Sequence, residues 1–425
     1  MLHRAALAVS VYLLAARTLL PAQTVPPAQP GAHSKADDAV PAQATHLYNQ
    51  ALDLQDNGKI NEAIAIYRQA LAVYPQFPGA LTNLGYILGV QGQFDEAIAD
   101  LNRSAAIDPT DATTQIDLGF TLFHAKQLDQ ALAAYQRAVA LKPDSAEAQN
   151  GLGAVLFTMG RQAEAVAAFN KGLSLAGNNP DLLNNLANAL VAENEFDQAI
   201  VLFERALRFK PNAFDIRAGY AAALQHAGRT DDAIAAYGQV VAAVPTDASS
   251  WLQLGRLQYD QKNLDDAIAS YQKALAINPS QPDALIALGR AYADNKQLPD
   301  AIAQYQKALT LRPDDASTLA ALGQVQMQRG AFKDAEATFT KLAALTPDDA
   351  NAPFNLGNIY FNEHRYADAA KSFRASIQLS PNFVQAHFNL GSTLSHLGDI
   401  AGAIAEFHEV HRLDPSIPVP IDTSH

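Results

Sequence analysis

A proline recurs at one fixed interval through most of this chain. Pro75, Pro109 and Pro143 stand 34 residues apart, and Pro211, Pro245, Pro279, Pro313, Pro347, Pro381 and Pro415 continue the register, with Gly177 in its one vacant place. Two further columns keep step. Alanine fills the place twelve residues before each of these positions, from Ala63 to Ala403, and glycine or alanine fills the place twelve before that, from Ala51 to Gly391. A large apolar residue, usually leucine, precedes the second column from Leu84 onward, with Tyr220 in one repeat. An aromatic follows the alanine column by four residues in every unit except one, where Leu101 stands. Self-similarity at such a period means units that bury their apolar faces only by stacking on their neighbours.

The chemistry of each column gives the unit's form. Small residues let two helix backbones approach, large ones fill the space between, and proline closes a unit because it cannot continue a helix interior. Each unit therefore reads as helix A of about fourteen residues, a tight turn, helix B of similar length and a short loop. The turns centre on Gly58, Gly92, Lys126, Gly160, Asn194, Gly228, Lys262, Lys296, Gly330, His364 and Gly398. Glycine and asparagine suit a left-handed helix stop, while the three lysines and the histidine carry mild strain there. Pro78, Pro180 and Pro282 fall at the first residue of helix A and Pro299 near the start of helix B, where a missing N–H costs nothing.

These columns resemble the tetratricopeptide repeat (TPR) family. Repeat seven reads Trp251, Leu254, Gly255, Ala267, Tyr271, Ala274, Pro279, close to the family signature. The resemblance runs from Ala44 to Ile417 and implies an all-α fold, a right-handed superhelix (α-solenoid) of eleven helix-turn-helix repeats. Its concave face, built by the A helices, would bind peptides or extended protein segments. Repeat one departs from the pattern, with Gln50 where leucine is usual, as expected of an end repeat.

Composition narrows the function. The 425 residues carry a net charge of −13, and the pI near 5.2 gives no basic patch for nucleic acid. The absence of cysteine excludes disulfides, thiolate metal sites and cysteine nucleophiles. His3 and Arg4 open the chain, an apolar run from Ala5 to Ala16 follows, and small residues gather near Ala22. This is the pattern of a secretory signal peptide over residues 1–22, flawed by Arg17, and an uncleaved anchor is the alternative. The run is shorter than the roughly 20 residues of a membrane span. The expected organisation is signal 1–22, a linker rich in Pro, Ala and Gln over 23–43, repeats over 44–417 and a tail over 418–425. The expected location is periplasmic or extracellular.

Candidate binding residues come from the A helices, counting each unit from Ala44. Position six holds Asn49, Asn83, Asn185, Asn355 and Asn389, and position nine holds Asn188 and Asn358. This ladder resembles the TPR half of the O-linked N-acetylglucosamine transferases, where asparagine amides grip a peptide backbone. An amide donates and accepts, so it can pair with any peptide unit. Gly151, Gly219, Ala287 and Ala321 break the ladder and leave two clusters: Asn184, Asn185 and Asn188, and Asn355, Asn358 and Asn362. No stretch of this sequence supplies the transferases' catalytic half. Arg256 and Arg290 share position nine of adjacent repeats, either as an anion-capturing pair or in ion pairs with Asp260 and Asp294 four residues on. Tyr48, Tyr86, Phe120, Phe123, Phe157, Tyr259, Phe354, Phe361 and Phe388 are either anchors for a bound segment or packing between A helices.

No catalytic residue, metal site or cofactor is indicated. His408-Glu409-Val410-His411 has spacing three where a zinc helix needs four. Two features stay open. Gly177-Asn178-Asn179-Pro180 is either a hinge or an ordinary junction. At the C-terminal end the stripe Ile404, Phe407, Val410 is covered either by Ile417, Val419 and Ile421 or by a dimer contact. The expected function is a non-enzymatic, exported scaffold binding a protein or peptide. The alternative is a regulatory or substrate-recruiting subunit of an envelope-biogenesis or glycosyl-transfer assembly.

Overall fold

The computed structural model describes residues 40–419. The expected signal segment, most of the linker and the tail beyond Val419 lie outside the described residues. Among the described residues there are twenty-two helices and no strand, running from α1 (Ala42–Asp56) to α22 (Ile400–Leu413). Odd-numbered helices are the A helices and even-numbered ones the B helices, so the chain is an all-α solenoid. Helix α1 begins at Ala42, two residues ahead of the expected repeat start, with Pro41 in the N-cap place at φ −53°. The N–H that proline lacks is one the first turn leaves unpaired anyway.

The helices fall into two compact units, one ending at Ala233 and the other beginning at Ile234, inside α12 (Thr230–Ala243). Each helix packs on the next from α1 to α11 (Phe214–His226) in the first unit and from α13 (Ala248–Asp260) to α22 in the second. The A helices of consecutive repeats also touch, α3 (Pro78–Val90) on α5 (Ala112–His124) in the first unit and α13 (Ala248–Asp260) on α15 (Pro282–Asp294) in the second. Each unit therefore presents a layer of A helices with its inner positions side by side.

Close approach explains the columns. A Cβ on Gly255 would lie 2.7 Å from the Tyr271 ring, and one on Gly357 would lie 2.5 Å from the Phe373 ring. The glycine of helix A is thus the seat of the helix-B aromatic. Leu101, where the aromatic is missing, takes the same seat against Gly85 and is fully buried. All eleven turn residues have positive φ, from 61° at His364 to 81° at Gly398. Lys126, Asn194, Lys262, Lys296 and His364 hold that left-handed geometry without glycine's freedom.

Five A helices begin on a side-chain cap. Asp111, Ser145, Asn179, Asp247 and Asp315 accept from backbone N–H groups one turn in. At the Gly177 junction, α8 (Gln162–Ala176) stops on glycine at φ +64°, Asn179 Oδ1 accepts from Asp181 N and Leu182 N, and Pro180 starts α9 (Pro180–Ala192). The cap, the stop and the proline are those of an ordinary helix junction. At the C-terminal end Val419 packs on the cluster formed by Phe407, Leu390 and Leu394, and Phe407 and Val410 are buried.

Candidate peptide-binding face

Three of the five position-six amides are not free donors. Asn83 Nδ2 donates to Tyr48 Oη at 3.0 Å, Asn185 Nδ2 to Asn150 Oδ1 at 2.8 Å, and Asn389 Nδ2 to Asn358 Oδ1 at 2.7 Å. In each case the acceptor belongs to the preceding repeat, so the amide ties two A helices together. Asn185 is buried at 5% exposure. Of the five position-six asparagines, Asn49 and Asn355 have no hydrogen-bond partner among the described residues, Asn49 exposed and Asn355 half-buried. In the repeat-five cluster, Asn188 Nδ2 donates to Asn184 Oδ1 at 3.3 Å within α9. In the repeat-ten cluster, on α19 (Asn351–Asn362), exposed Asn362 donates to the Asn358 carbonyl at 2.8 Å.

The breaks in the ladder have a cause. A Cβ on Gly151 would lie 2.1 Å from Tyr135 Cε1, and one on Gly219 would lie 3.0 Å from the Phe203 ring. The Tyr135 ring also rests on Gly119, 2.8 Å from where its Cβ would be, so it is clasped between two A helices. At Gly151 a larger residue would have to displace the Tyr135 ring, while at Gly219 the Phe203 ring would have to give by a few tenths of an ångström.

The cationic pair differs from one of its two readings. Arg256 and Arg290 are exposed, and neither makes an ion pair among the described residues. Asp294 instead accepts from the Tyr259 hydroxyl at 2.5 Å. The physical reason is order along the helix: an arginine four residues N-terminal to an aspartate is the weaker orientation of such pairs. Burial pushes the Tyr259 hydroxyl up to about 12, helped by the Asp294 carboxylate that holds its proton. Lys262 Nζ lies 5.6 Å from the centre of the same ring. Among the described A helices the only lysine or arginine besides this pair is Arg217, whose guanidinium donates to the Pro211 carbonyl.

Most of the candidate aromatics pack. Tyr48 and Phe123 are buried. Phe354 lies 4.7 Å from Phe383 and 5.9 Å from Phe373, centre to centre. Phe361 meets Tyr366 at 5.5 Å and His396 at 5.4 Å, and Phe388 joins the same C-terminal cluster. Tyr86 and Phe120 pair at 6.1 Å across consecutive position-nine places.

Two arrangements escaped sequence reasoning. His387, buried on α21 (Val384–His396), puts Nδ1 2.6 Å from Glu406 Oε2 and Nε2 2.9 Å from the Pro381 carbonyl. Thr82, Ser104 and Thr114 share a buried hydroxyl cluster, with oxygens 2.7–2.8 Å apart about Thr82. Both join residues from different helices, and neither leaves a mark at the 34-residue spacing.

Comparison with known proteins covers the repeat region. Models of the tetratricopeptide repeat match residues 48–112 and 354–416, 90–155, and 123–244. Residues 238–352 match the TPR domain of cytochrome c-type biogenesis protein H. The fold is similar to the C-terminal part of a TPR repeat-containing protein from Cytophaga hutchinsonii, at 22% identity and TM-score 0.51 over 56% of this chain and 98% of that one. A tetratricopeptide repeat protein from Parabacteroides merdae is similar at 18% identity and TM-score 0.47, over 59% of this chain and 98% of that one. YrrB, described as a TPR protein with an unusual peptide-binding site, is similar at 26% identity and TM-score 0.39, over 44% of this chain and 95% of that one. No protein of curated function matches the sequence.

Proposed function

Because the chain belongs to the tetratricopeptide repeat family, a family of protein-interaction scaffolds, we propose that it is an exported, non-enzymatic scaffold that binds an extended peptide or partner protein along its A helices. The observation that carries this reading is the pair Arg256 and Arg290, exposed in the same place of two adjacent A helices and without an ion pair among the described residues. Tyr259 lies on the same helix as Arg256, and its bond to Asp294 takes up the carboxylate four residues from Arg290. In repeat ten, Asn355 brings an amide with no hydrogen-bond partner among the described residues, and exposed Asn362 follows it on the same helix. On the same helix as Asn355, Asn358 Oδ1 is taken by Asn389 and Phe354 packs against Phe373 and Phe383.

The test is a pull-down from envelope extract with the wild-type chain and with Arg256→Ala/Arg290→Ala. The reading expects a partner captured by the first and captured less by the second. Equal capture by both would reject this face as the binding surface. Export is tested by fractionation and N-terminal sequencing of the mature chain: an intact Met1 on a cytoplasmic protein would remove that part of the reading.

A second reading is favoured by one observation, the match of residues 238–352 to the TPR domain of a cytochrome c-type biogenesis protein. On it, the chain is a regulatory or substrate-recruiting subunit of an envelope-biogenesis assembly. Co-purification of a synthase or transferase would favour this reading, and of a non-enzymatic partner the first.

A further inference from the structure

The chain holds two asparagine–glycine pairs, Asn57-Gly58 and Asn150-Gly151, and the fold treats them in opposite ways. An asparagine amide followed by glycine is open to attack by the next backbone nitrogen, because no Cβ hinders the approach. Of the A–B turns that carry glycine, only Gly58 follows an asparagine. Asn57 is the C-cap of α1, at φ −83° and ψ 7°, so no further helical turn depends on its backbone angles. Both residues are exposed, and nothing lies within 4 Å of the place a Cβ on Gly58 would take. The Gly58 N–H donates to the Gln55 carbonyl at 3.0 Å, a bond at an exposed helix end, where local opening is easiest.

Asn150 has none of this freedom. It lies inside α7 (Ala146–Thr158), so turning its ψ out of the helical range would break the helix on both sides. Its Oδ1 is held by Asn185 Nδ2 at 2.8 Å. The Tyr135 ring fills the space beside Gly151, 2.1 Å from where a Cβ would stand, and leaves the backbone there no room to turn.

We propose that Asn57 is a site of spontaneous covalent modification, and that its conversion loosens the first repeat. Hydroxide takes the proton from the Gly58 backbone nitrogen, and that nitrogen attacks Asn57 Cγ. The N–Cγ bond forms, the Cγ–Nδ2 bond breaks, and Nδ2 takes a proton from water and leaves as ammonia. Water then opens the cyclic imide at either of its carbonyls, giving aspartate or isoaspartate, and nothing is oxidised or reduced. In the unmodified chain Asn57 Nδ2 donates to the Asp53 carbonyl at 2.7 Å and closes the end of α1. A carboxylate there has no hydrogen to donate, and it sets a negative charge at the negative end of the helix dipole, beside exposed Asp53 and Asp56. The nearest cation in sequence, Lys59, lies 3.7 Å from Glu62. Isoaspartate also carries the main chain through the side-chain carbon and so lengthens the turn. The first repeat feels this most, because no earlier repeat among the described residues packs on α1 and its His46 and Gln50 face water.

Peptide mapping by mass spectrometry tests the site. The full chain is held in mildly alkaline buffer, folded and, in parallel, in urea, and both asparagines are followed in the same digests. The expected result is conversion at Asn57 in the folded chain, with isoaspartate among the products, while Asn150 stays intact there and converts in urea. An Asn57 that survives in the folded chain but converts in urea, or an Asn150 that converts as fast as Asn57 in the folded chain, would overturn the assignment. Hydrogen exchange of the aged chain and of Asn57→Asp reads the consequence. The amides of α1 should exchange faster in both than in the fresh chain, while those of α19 to α22 keep their rates. Unchanged protection of α1 in both samples would reject the loosening of the first repeat.

Discussion

Tyr259 donates its phenolic hydrogen to the Asp294 carboxylate, 35 residues ahead on the next A helix. One repeat plus one residue is the offset at which neighbouring A helices meet. Asn83 reaches Tyr48 and Asn185 reaches Asn150 across the same interval. Hydrogen bonds of this offset tie the A helices of consecutive repeats together, beside the apolar stacking that binds each A helix to its B helix.

Tyr259→Phe removes the hydroxyl and leaves Asp294, which is exposed, to water. The expected loss is about 0.5–1.5 kcal/mol, read as a lower midpoint in chemical denaturation. A pH signature goes with it. The folded hydroxyl is raised from 10.0 to about 12, so its stabilising contribution is complete below pH 10 and is lost as pH rises toward 12. Between those limits the unfolded chain has released a proton that the folded chain keeps. Wild-type stability should therefore fall more steeply than that of Tyr259→Phe across this window, and parallel curves would contradict the assignment.

Two helical glycines should respond to alanine with opposite signs. At Gly151 the new Cβ would fall 2.1 Å from Tyr135 Cε1, and the ring cannot retreat because Gly119 backs its other side. The gain in helix propensity is about 1 kcal/mol, and overpacking costs about 1–3 kcal/mol, so Gly151→Ala should lower the melting temperature. At Gly238 nothing lies within 4 Å of the place a Cβ would take, so Gly238→Ala collects the propensity alone. It should stabilise by about 0.5–1 kcal/mol, and calorimetry on the pair decides whether space or propensity governs each site.

What the sequence made legible follows from where each signal acts. Pro279, Ala267 and Gly255 shape the backbone of their own repeat, so each carries its cause locally and repeats in register. The left-handed turns at Lys126 and His364 were legible for the same reason, because the register fixes the place whatever the residue. The side-chain partners on the A helices were not. The order of Arg290 and Asp294 on one helix suggests an ion pair, but Asp294 is taken by a tyrosine of the preceding repeat, and finding it requires the 35-residue offset between helices. The asparagine ladder was legible as a column, while its direction, back into the preceding repeat at Asn185 and Asn389, depends on the same offset or on its neighbour one turn away.

That direction separates two asparagines that the sequence treats alike. Asn185 is buried and its amide is satisfied by Asn150. Asn185→Ala should cost about 1–3 kcal/mol by leaving Asn150 Oδ1 without its donor. Asn355 has no hydrogen-bond partner among the described residues, so Asn355→Ala should change stability by less than about 0.5 kcal/mol and weaken capture of the partner in the pull-down. If Asn355→Ala unfolds the chain or leaves capture intact, its amide belongs to the fold and not to a ligand.

The arginine pair carries the most direct functional prediction. Arg256 and Arg290 are open cations in a chain of net charge −13, and an acidic segment is the ligand whose charge they complement. The probe is a labelled peptide of glutamate and alanine, followed by fluorescence anisotropy against a lysine and alanine control. An exposed ion pair contributes about 0.2–1 kcal/mol, so Arg256→Ala and Arg290→Ala should each weaken binding by roughly 1.4- to 5-fold. Their effects should add only partly, because adjacent charges act on one ligand. Salt supplies the control for mechanism. Screening acts over about 10 Å at 0.1 M, so raising ionic strength should shrink the difference between wild type and variants. A preference for the acidic peptide that survives both substitutions, or that ignores salt, would place the binding energy elsewhere on the A helices.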